Sequence, residues 1–559
     1  MMFYEIFSYF KGLNKELIKT YALHPWLVWL FLVIITIQSL IWGFLFIGRD
    51  LSYIIGDQGA YLETATHLKN GEGFVFYGLD PHNPKDDLVS TENNRHPLYI
   101  LLLSLFASEE PIFFFKAKLI NLFTFLVLLL YVFFLAKKMF GDLVAMGGTF
   151  LVFTSRTFNY FSNTVACEPL LVLFTFLAWY FIVKGFKEDK YLILGGVFSG
   201  LAYLTKGSGL LIAIAFILSS LIIYKRDVIN KKRGFLLYLL FFLLVSSPLL
   251  LRNIAQFKDP FYNFATTHLF WGNTTFFHYL KEHSLAEIMA RLCTGVSLMT
   301  PYFIQELSIS SKFIGPFLSI LLLLFFVTSI DVDEDRERRV FTLFLFSLFY
   351  LSVCWFTYMV RGWCSRFLLP IFPVIYLYSM RGVFLFLEDK VTKIVRRETL
   401  NNSLALLLII LSLFFSPEKL INLAPLSSLL DGSFIPPRSQ RIIGWLKLNT
   451  TKEDVVCFGP DDQFMYNWIT QRKMVALPSS LPFEQVNDYL RKYTVKYIII
   501  TRDTLRYRQE ILGRFLFWDE GSGLVQHEEI QGWRLVYRDR DKPTNLLIYE
   551  FNLKEEDQG

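Results

Sequence analysis

The side chains best suited to chemistry in this sequence lie in short polar stretches between long apolar runs. The longest such stretch, Gly56 to Tyr99, begins GDQGAYLETATHLKNGEGF and closes NNRHPLY, and it carries Asp57, Tyr61, Glu63, His67, Arg95 and His96. Irregular backbone of this length has to sit at a water interface, because hydrocarbon leaves its amides and carbonyls without partners. There Asp57 could take the proton of a hydroxyl nucleophile within hydrogen-bond reach. It could equally serve as a helix cap, since Gly56-Asp57 precedes a helical run to Lys69 and Asp is a favoured capping residue.

The other candidates sit at the ends of apolar runs. Arg95 and His96, just ahead of a Pro97 placed to start a helix, could line an acceptor pocket, hold an anionic head group or anchor at the interface. Glu168, in NTVACEPLL, stands at the mouth of a span, where an ionisable group is costly unless paired or wet. Its alternative is a first-turn carboxylate favoured by the helix dipole, followed by Pro169. Arg252, Arg366 and, in LAYLTKGSG, Lys206 are cations at span ends. A planar guanidinium matches the oxygens of a phosphate, so the three together suit a phosphate better than any one of them does.

The elements that position these groups are membrane helices. With 53% hydrophobic residues and only 19% charged ones over 559 residues, the chain is polytopic rather than a soluble enzyme with one greasy segment. Candidate spans fall near 26–47, 112–136, 142–159, 168–184, 191–205, 207–224, 234–251, 313–330, 340–358, 367–387 and 402–416, about eleven in all. Lys11, Lys15 and Lys19 precede the first, with no small-residue cleavage site after it, so it reads as an uncleaved span. A cytoplasmic N-terminus puts Lys137/Lys138, Lys184/Lys187/Lys190, Lys225/Arg226, Lys231/Lys232/Arg233, Arg336/Arg338/Arg339 and Lys390/Lys393/Arg396/Arg397 on the inner side, as the positive-inside rule requires. The loop after the first span (48–96), Ser162 to Glu168, Arg252 to Lys312, Met359 to Arg366 and the C-terminus are then external.

Two domains follow from the change of composition near Pro417: a membrane domain over 1–416 and an external α/β domain over 417–559. Turn signals such as DGS and IPP separate its segments. Arg438 to Leu448 reads as an amphipathic helix, Phe483 to Tyr493 as another, and VVCFG, MVALP, VKYIIIT, WRLVYRD and NLLIYEF as strands. It has no Gly-rich phosphate loop or nucleophile elbow, so no catalysis is assigned to it. The five cysteines show no CxxC pair or matching His spacing. No metal-ligand cluster stands out, although Asp57 with Glu168 could hold a divalent cation if they converge.

The order of Asp57, RHPLY, CEPLL, GLAYLTKGSGLL, PLLLRNIAQFKDPF and SRFLLPIFP over about residues 26–390 resembles the glycosyltransferase C (GT-C) superfamily. The resemblance is to bacterial membrane enzymes related to protein O-mannosyltransferases and the lipid A aminoarabinose transferase. It implies a GT-C fold and transfer of a hexosyl or pentosyl group from a polyprenyl-phosphate donor, with inversion, at the external face of a bacterial inner membrane. The acceptor would be a hydroxyl of an envelope lipid, glycan or protein. It further implies Asp57 as general base, Arg252, Arg366 and Lys206 as holders of the lipid phosphate, Glu168 as an orienting group, and Tyr61, Arg95 and His96 as site lining. The chain departs from the family pattern in having Asp57-Gln58 where the family has an acidic pair, and one proline in His96-Pro97-Leu98. These departures argue against a true protein O-mannosyltransferase.

A fixed set of cations suits a leaving phosphate, and no nucleotide-sugar site is then needed. The competing class is a transporter or flippase of lipid-linked glycans, which should show mid-span charges or broken-helix symmetry; the charges here are mainly terminal. A receptor with an inert anchor would not need eleven spans. A formal charge of +6 is accounted for by topology, and nucleic acid is not expected as a partner.

Overall fold

Helices run through the described parts of the expected span segments, with the one over 142–159 interrupted. The computed structural model describes residues 23–47, 57–77, 88–224, 232–263, 267, 270–271, 276–307, 315–360, 364–392, 395–415, 435–459, 463–478, 481–539 and 543–552. Lys225, Arg226, Lys231, Lys393, the N-terminal lysines, the DGS turn and the 416/417 boundary lie outside them.

Eight helices are long and apolar enough to cross a membrane: Pro25–Phe46, Ile112–Phe140, Glu168–Gly185, Gly207–Tyr224, Arg233–Phe257, Arg336–Thr357, Arg366–Val391 and Arg397–Phe414. The apolar helices Asp142–Thr154, Lys190–Thr205 and Gly315–Asp331 are shorter. The chain is a multi-pass membrane protein. The span expected over 142–159 is cut at Ser155, whose backbone turns extended (φ −63, ψ 124) before a separate helix Arg156–Phe161. Asn159 stiffens the break: its Nδ2 donates to the carbonyl of Phe153 (2.7 Å) and to that of Ser155 (2.9 Å), which also accepts from the Asn159 backbone N–H.

The chain divides into two compact units: residues 1–47, 93–99 and 118–421, and residues 48–92, 100–117 and 422–559. In the first, Glu168–Gly185 packs against Lys190–Thr205, which packs in turn against Lys232–Phe257. Burial separates centre from rim: 83% of the Glu168–Gly185 window is buried against 22% of the Arg397–Phe414 window. The outer helices keep apolar side chains such as Leu251 and Phe414 exposed, the arrangement lipid stabilises. Trp179 Nε1 donates to Thr342 Oγ1 at 3.0 Å, and Tyr238 OH to Ser199 Oγ at 2.8 Å, so buried polar groups are paired between helices.

One end of this bundle is tied by charge. Arg338 Nε and Tyr378 OH both donate to Asp333 Oδ2 at 2.7 Å, Arg381 Nη1 lies 3.6 Å from the same oxygen, and Arg338 and Arg381 cover the Phe140 ring.

A helix that the sequence reading left inside a long loop runs over Leu285–Glu306. Its sparse apolar stripe hid it from a span search, yet Ser284 and Glu287 form a capping box, the S-x-x-E signal that marks a helix start. It carries a buried Arg291 that donates to Tyr279 OH and to the Phe270 carbonyl, both at 3.0 Å, with its guanidinium over the Trp355 ring.

The second unit is built on a five-stranded sheet in the order β4-β3-β5-β9-β8, with β3 (Val455–Phe458), β4 (Lys473–Ala476), β5 (Val495–Thr501), β8 (Trp533–Arg538) and β9 (Leu546–Phe551). β3 pairs parallel with β4 and β5, and β9 pairs antiparallel with β5 and β8. The parallel part requires crossovers, supplied by helices Gln463–Thr470 and Phe483–Lys492. The five expected strands and the helices Pro437–Asn449 and Phe483–Lys492 stand where the sequence put them. An added hairpin, β6 (Leu516–Asp519) with β7 (Gly523–Gln526), and helix Gln463–Thr470 did not announce themselves. Helix Asp57–Lys69 and the hairpin β1 (Val75–Tyr77) with β2 (Val89–Thr91) belong to this unit.

Candidate functional site

Two of the candidate cations of the first unit, Lys206 and Arg366, converge on Glu168. The loop before helix Pro97–Ser104, the N-terminus of Glu168–Gly185, the C-terminus of Lys190–Thr205, the last turns of Lys232–Phe257 and the turn Cys364–Ile371 supply the groups of this site, at the end of Glu168–Gly185 away from the Lys187–Asp335 ion pair. Lys206 Nζ donates to Glu168 Oε1 at 2.7 Å, and Arg366 Nε lies 3.9 Å from the same oxygen. Both cations lie against the Phe367 ring, Lys206 at 4.3 Å and Arg366 at 5.0 Å from its centroid. Glu168 is thus a first-turn carboxylate that is also ion-paired.

Local sequence explains the placement. Cys167 precedes the helix and Pro169 starts it, while Asn121 Nδ2 pins the approach by donating to the carbonyls of Thr164 (2.5 Å) and Ala166 (2.7 Å). Lys206 is thrown out of its helix by an extended backbone (φ −160, ψ 145). The following Gly207 is needed for space: a Cβ there would come within 3.3 Å of His96 Nε2, and one at Gly209 within 2.3 Å of the Ala202 backbone. The KGSG turn is therefore folded tightly under His96.

His96 is buried, with its ring edge-on to Tyr203 at 5.2 Å, and its Nδ1 has no hydrogen-bond partner among the described residues. Burial foremost, then the charges of Arg252 and Lys206, pushes its pKa down to about 4. Burial is the main reason the imidazole stays neutral; the two nearby cations add a smaller push in the same direction, of the kind an anion would relieve. Arg252 donates to Asn253 Oδ1 at 3.0 and 3.2 Å, and Asn253 in turn donates to the carbonyls of Pro260 and Tyr262. Asn263 Nδ2 reaches the Asn94 carbonyl at 2.8 Å, next to a half-buried Arg95. Lys206 and Arg366 thus meet one carboxylate, and the charges of Lys206 and Arg252 reach His96.

The depressed His96 pKa has a stability consequence. The unfolded chain binds this proton first, so the contribution of neutral His96 is present above about pH 6.5 and is lost as pH falls toward about 4. The difference in thermal stability between wild type and His96→Gln is expected to shrink over that interval. A constant difference from pH 7 to 4 would remove the histidine as its cause.

Asp57 and Tyr61 belong to the second unit. Asp57 is the first residue of helix Asp57–Lys69 and lies in its first turn, where the sequence reading made it the cap ahead of the helix, and Tyr61 is buried in the same helix. The helix ends in a Schellman turn: Gly71, at φ +81, donates to the Leu68 carbonyl and Glu72 N to the His67 carbonyl. That turn folds Glu72 back beside His67, where Glu72 Oε2 meets His67 Nδ1 at 2.5 Å and Tyr77 OH at 2.7 Å. His67 Nε2 lies 3.6 Å from Glu63 Oε1. Glu63 is fully buried, which raises its pKa; burial opposes charge on His67, but Glu63 and Glu72 outweigh it and raise that pKa as well. Asn467, which also contacts Glu63, had no signal in the sequence.

Among the described residues no group of three His, Cys, Asp or Glu is arranged to hold a metal ion, and Glu168 is engaged by cations of the protein itself.

Comparison with known proteins follows the same outline. A family model described as dolichyl-phosphate-mannose-protein mannosyltransferase matches residues 97–251. ArnT from Cupriavidus metallidurans bound to undecaprenyl phosphate superposes with a TM-score of 0.55 at 11% identity, covering 93% of this chain and 97% of that one. The fold is that of the GT-C glycosyltransferases. The GT-C architecture is shared with the archaeal oligosaccharyltransferase AglB from Archaeoglobus fulgidus, solved in complex with an inhibitory peptide and a dolichol-phosphate, at a TM-score of 0.53 and 13% identity over 89% of this chain and 74% of that one. Curated protein sequences give no match. The GT-C core and the small C-terminal domain are thus both present in this chain.

Proposed function

We propose that this protein transfers a sugar from a polyprenyl-phosphate donor to a hydroxyl of an envelope lipid, glycan or protein at the external face of the inner membrane, with the N-terminus in the cytoplasm. The observation that carries this reading is the gathering of Lys206, Arg366 and Arg252 around Glu168 and a neutral His96 at one end of the bundle. It is supported by a GT-C fold shared with proteins solved holding undecaprenyl phosphate and dolichol-phosphate.

In this reading Asp57 takes the proton of the acceptor hydroxyl as its oxygen attacks the anomeric carbon. The bond from that carbon to the phosphate oxygen breaks, and the electron pair leaves with the lipid phosphate, inverting the centre. The developing charge is met by Lys206, Arg252 and Arg366, while Glu168 keeps the first and last of them in place and Arg95, His96 and Tyr61 line the site. The reaction needs no nucleotide.

The test is mass-spectrometric detection of free polyprenyl phosphate after purified protein is incubated with a panel of polyprenyl-phosphate sugars and crude envelope acceptor. Release is expected with one donor class. Folded protein that releases nothing from any donor moves the assignment to transport of lipid-linked glycans.

A further inference from the structure

Helix Asp57–Lys69 is held by more than its own turn. Glu63, six residues and so about 9 Å of helix beyond Asp57, has no exposed surface, and its Oε1 accepts from Tyr77 N at 2.7 Å and from Asn467 Nδ2 at 3.2 Å. Asn467 Nδ2 also donates to the Tyr77 carbonyl. A carboxylate is a costly way to fill buried space unless its hydrogen bonds do something an apolar side chain would not. Here they join the first-loop helix, the hairpin strand β1 and the C-terminal domain at one oxygen.

The partner helix is built for this. Gln463–Thr470 stops at Gln471, which adopts φ +55 and donates from Nε2 to the Trp468 carbonyl at 2.8 Å. The next residue along, Trp468, donates from Nε1 to the Ser108 carbonyl at 2.7 Å and packs edge-on against Phe113 at 6.1 Å. Lys69 Nζ also donates to the Ala107 carbonyl at 2.5 Å. Two consecutive side chains of one short helix thus grip the loop that carries Asp57 and the lead-in to the following span.

We infer that Asn467 and Glu63 are positioning residues, through which the C-terminal domain fixes the helix bearing Asp57 for sugar transfer. This rests on the reading of Asp57 as the base. The domain then acts on the chemistry through a rigid helix and not by touching the substrates, and its docking state sets how much of the protein is competent.

The decisive variant is Asn467→Leu, of similar size and without the donor, studied in the full chain with Glu63→Gln as the milder companion that keeps an acceptor oxygen. Backbone amide exchange over residues 57–77 is expected to speed up in Asn467→Leu, with strand β5 still protected as proof that the domain is folded. Transfer should lose on the order of 10²-fold in kcat, the scale of a misplaced catalytic group, with donor KM unchanged; Glu63→Gln should fall between it and wild type. Unchanged exchange over 57–77 overturns the clamp, and faster exchange with unchanged kcat overturns its positioning role. Wild type without any transfer overturns the reading of Asp57 instead, and the exchange measurement separates the two failures.

Discussion

Asp57→Asn is expected to abolish nearly all turnover while leaving donor binding intact. General-base catalysis contributes about 10²–10⁴-fold, and asparagine keeps the size of the side chain and its first-turn position while losing the basic oxygen. Asp57 opens helix Asp57–Lys69, where a carboxylate also interacts favourably with the helix N-terminus, a term worth about 0.3–1 kcal/mol. The substitution therefore separates the two roles read from the sequence. A capping residue would yield a slightly less stable protein with ordinary turnover, whereas a base yields a stable protein that binds a polyprenyl-phosphate sugar and does not release its phosphate. Calorimetric binding of donor alongside phosphate release distinguishes these outcomes, and unchanged turnover takes Asp57 out of the mechanism.

Lys206→Met should have the second largest effect, and by two routes. It removes the cation 2.7 Å from a Glu168 that is only 5% exposed, leaving Arg366 at 3.9 Å as a weaker neighbour. Breaking one side of such a pair costs at most about 3–5 kcal/mol. It also removes one of the charges proposed to face the leaving phosphate, for which a loss of about 10²–10³-fold in turnover is expected. The double variant with Glu168→Gln resolves the two. Thermal stability should return, because no carboxylate is left uncompensated, but turnover should stay low. If both return together, Lys206 serves only to neutralise Glu168, and the phosphate assignment falls to Arg252 and Arg366.

Much of this was legible in the chain itself, for reasons that can be named. Spans are written in runs of about 20 apolar residues, and their ends are marked by prolines and cations, so Pro169, the KGSG turn and the RFLLP turn disclosed the positions of Glu168, Lys206 and Arg366. The strands of the C-terminal domain were visible because VVCF and YIIIT are apolar on both faces, as buried parallel strands are. Other features left weaker traces. Helix Leu285–Glu306 alternates polar and apolar residues too often for a span search, although Ser284 and Glu287 marked its start. The helical run from Asp57 to Lys69 could be read, but its attachment to Asn467 is a contact between residues 404 apart, and nothing local in QFMYNWIT requires it. Pairings of that separation are set by tertiary packing, which one sequence does not display.

The knot around Asp333 bears on what kind of machine this is. Arg338, Arg381 and Tyr378 surround that one carboxylate, drawing together the helices Arg336–Val360 and Phe372–Val391 with the turn after Gly315–Asp331. A pump that passes cargo from one face to the other has to part its helices at each face in turn. Parting them here would strip a buried charge of its partners, a cost that recurs in every cycle. The Asp333 end of the bundle is thus the tied end, which fits the proposed transferase better than the competing transporter.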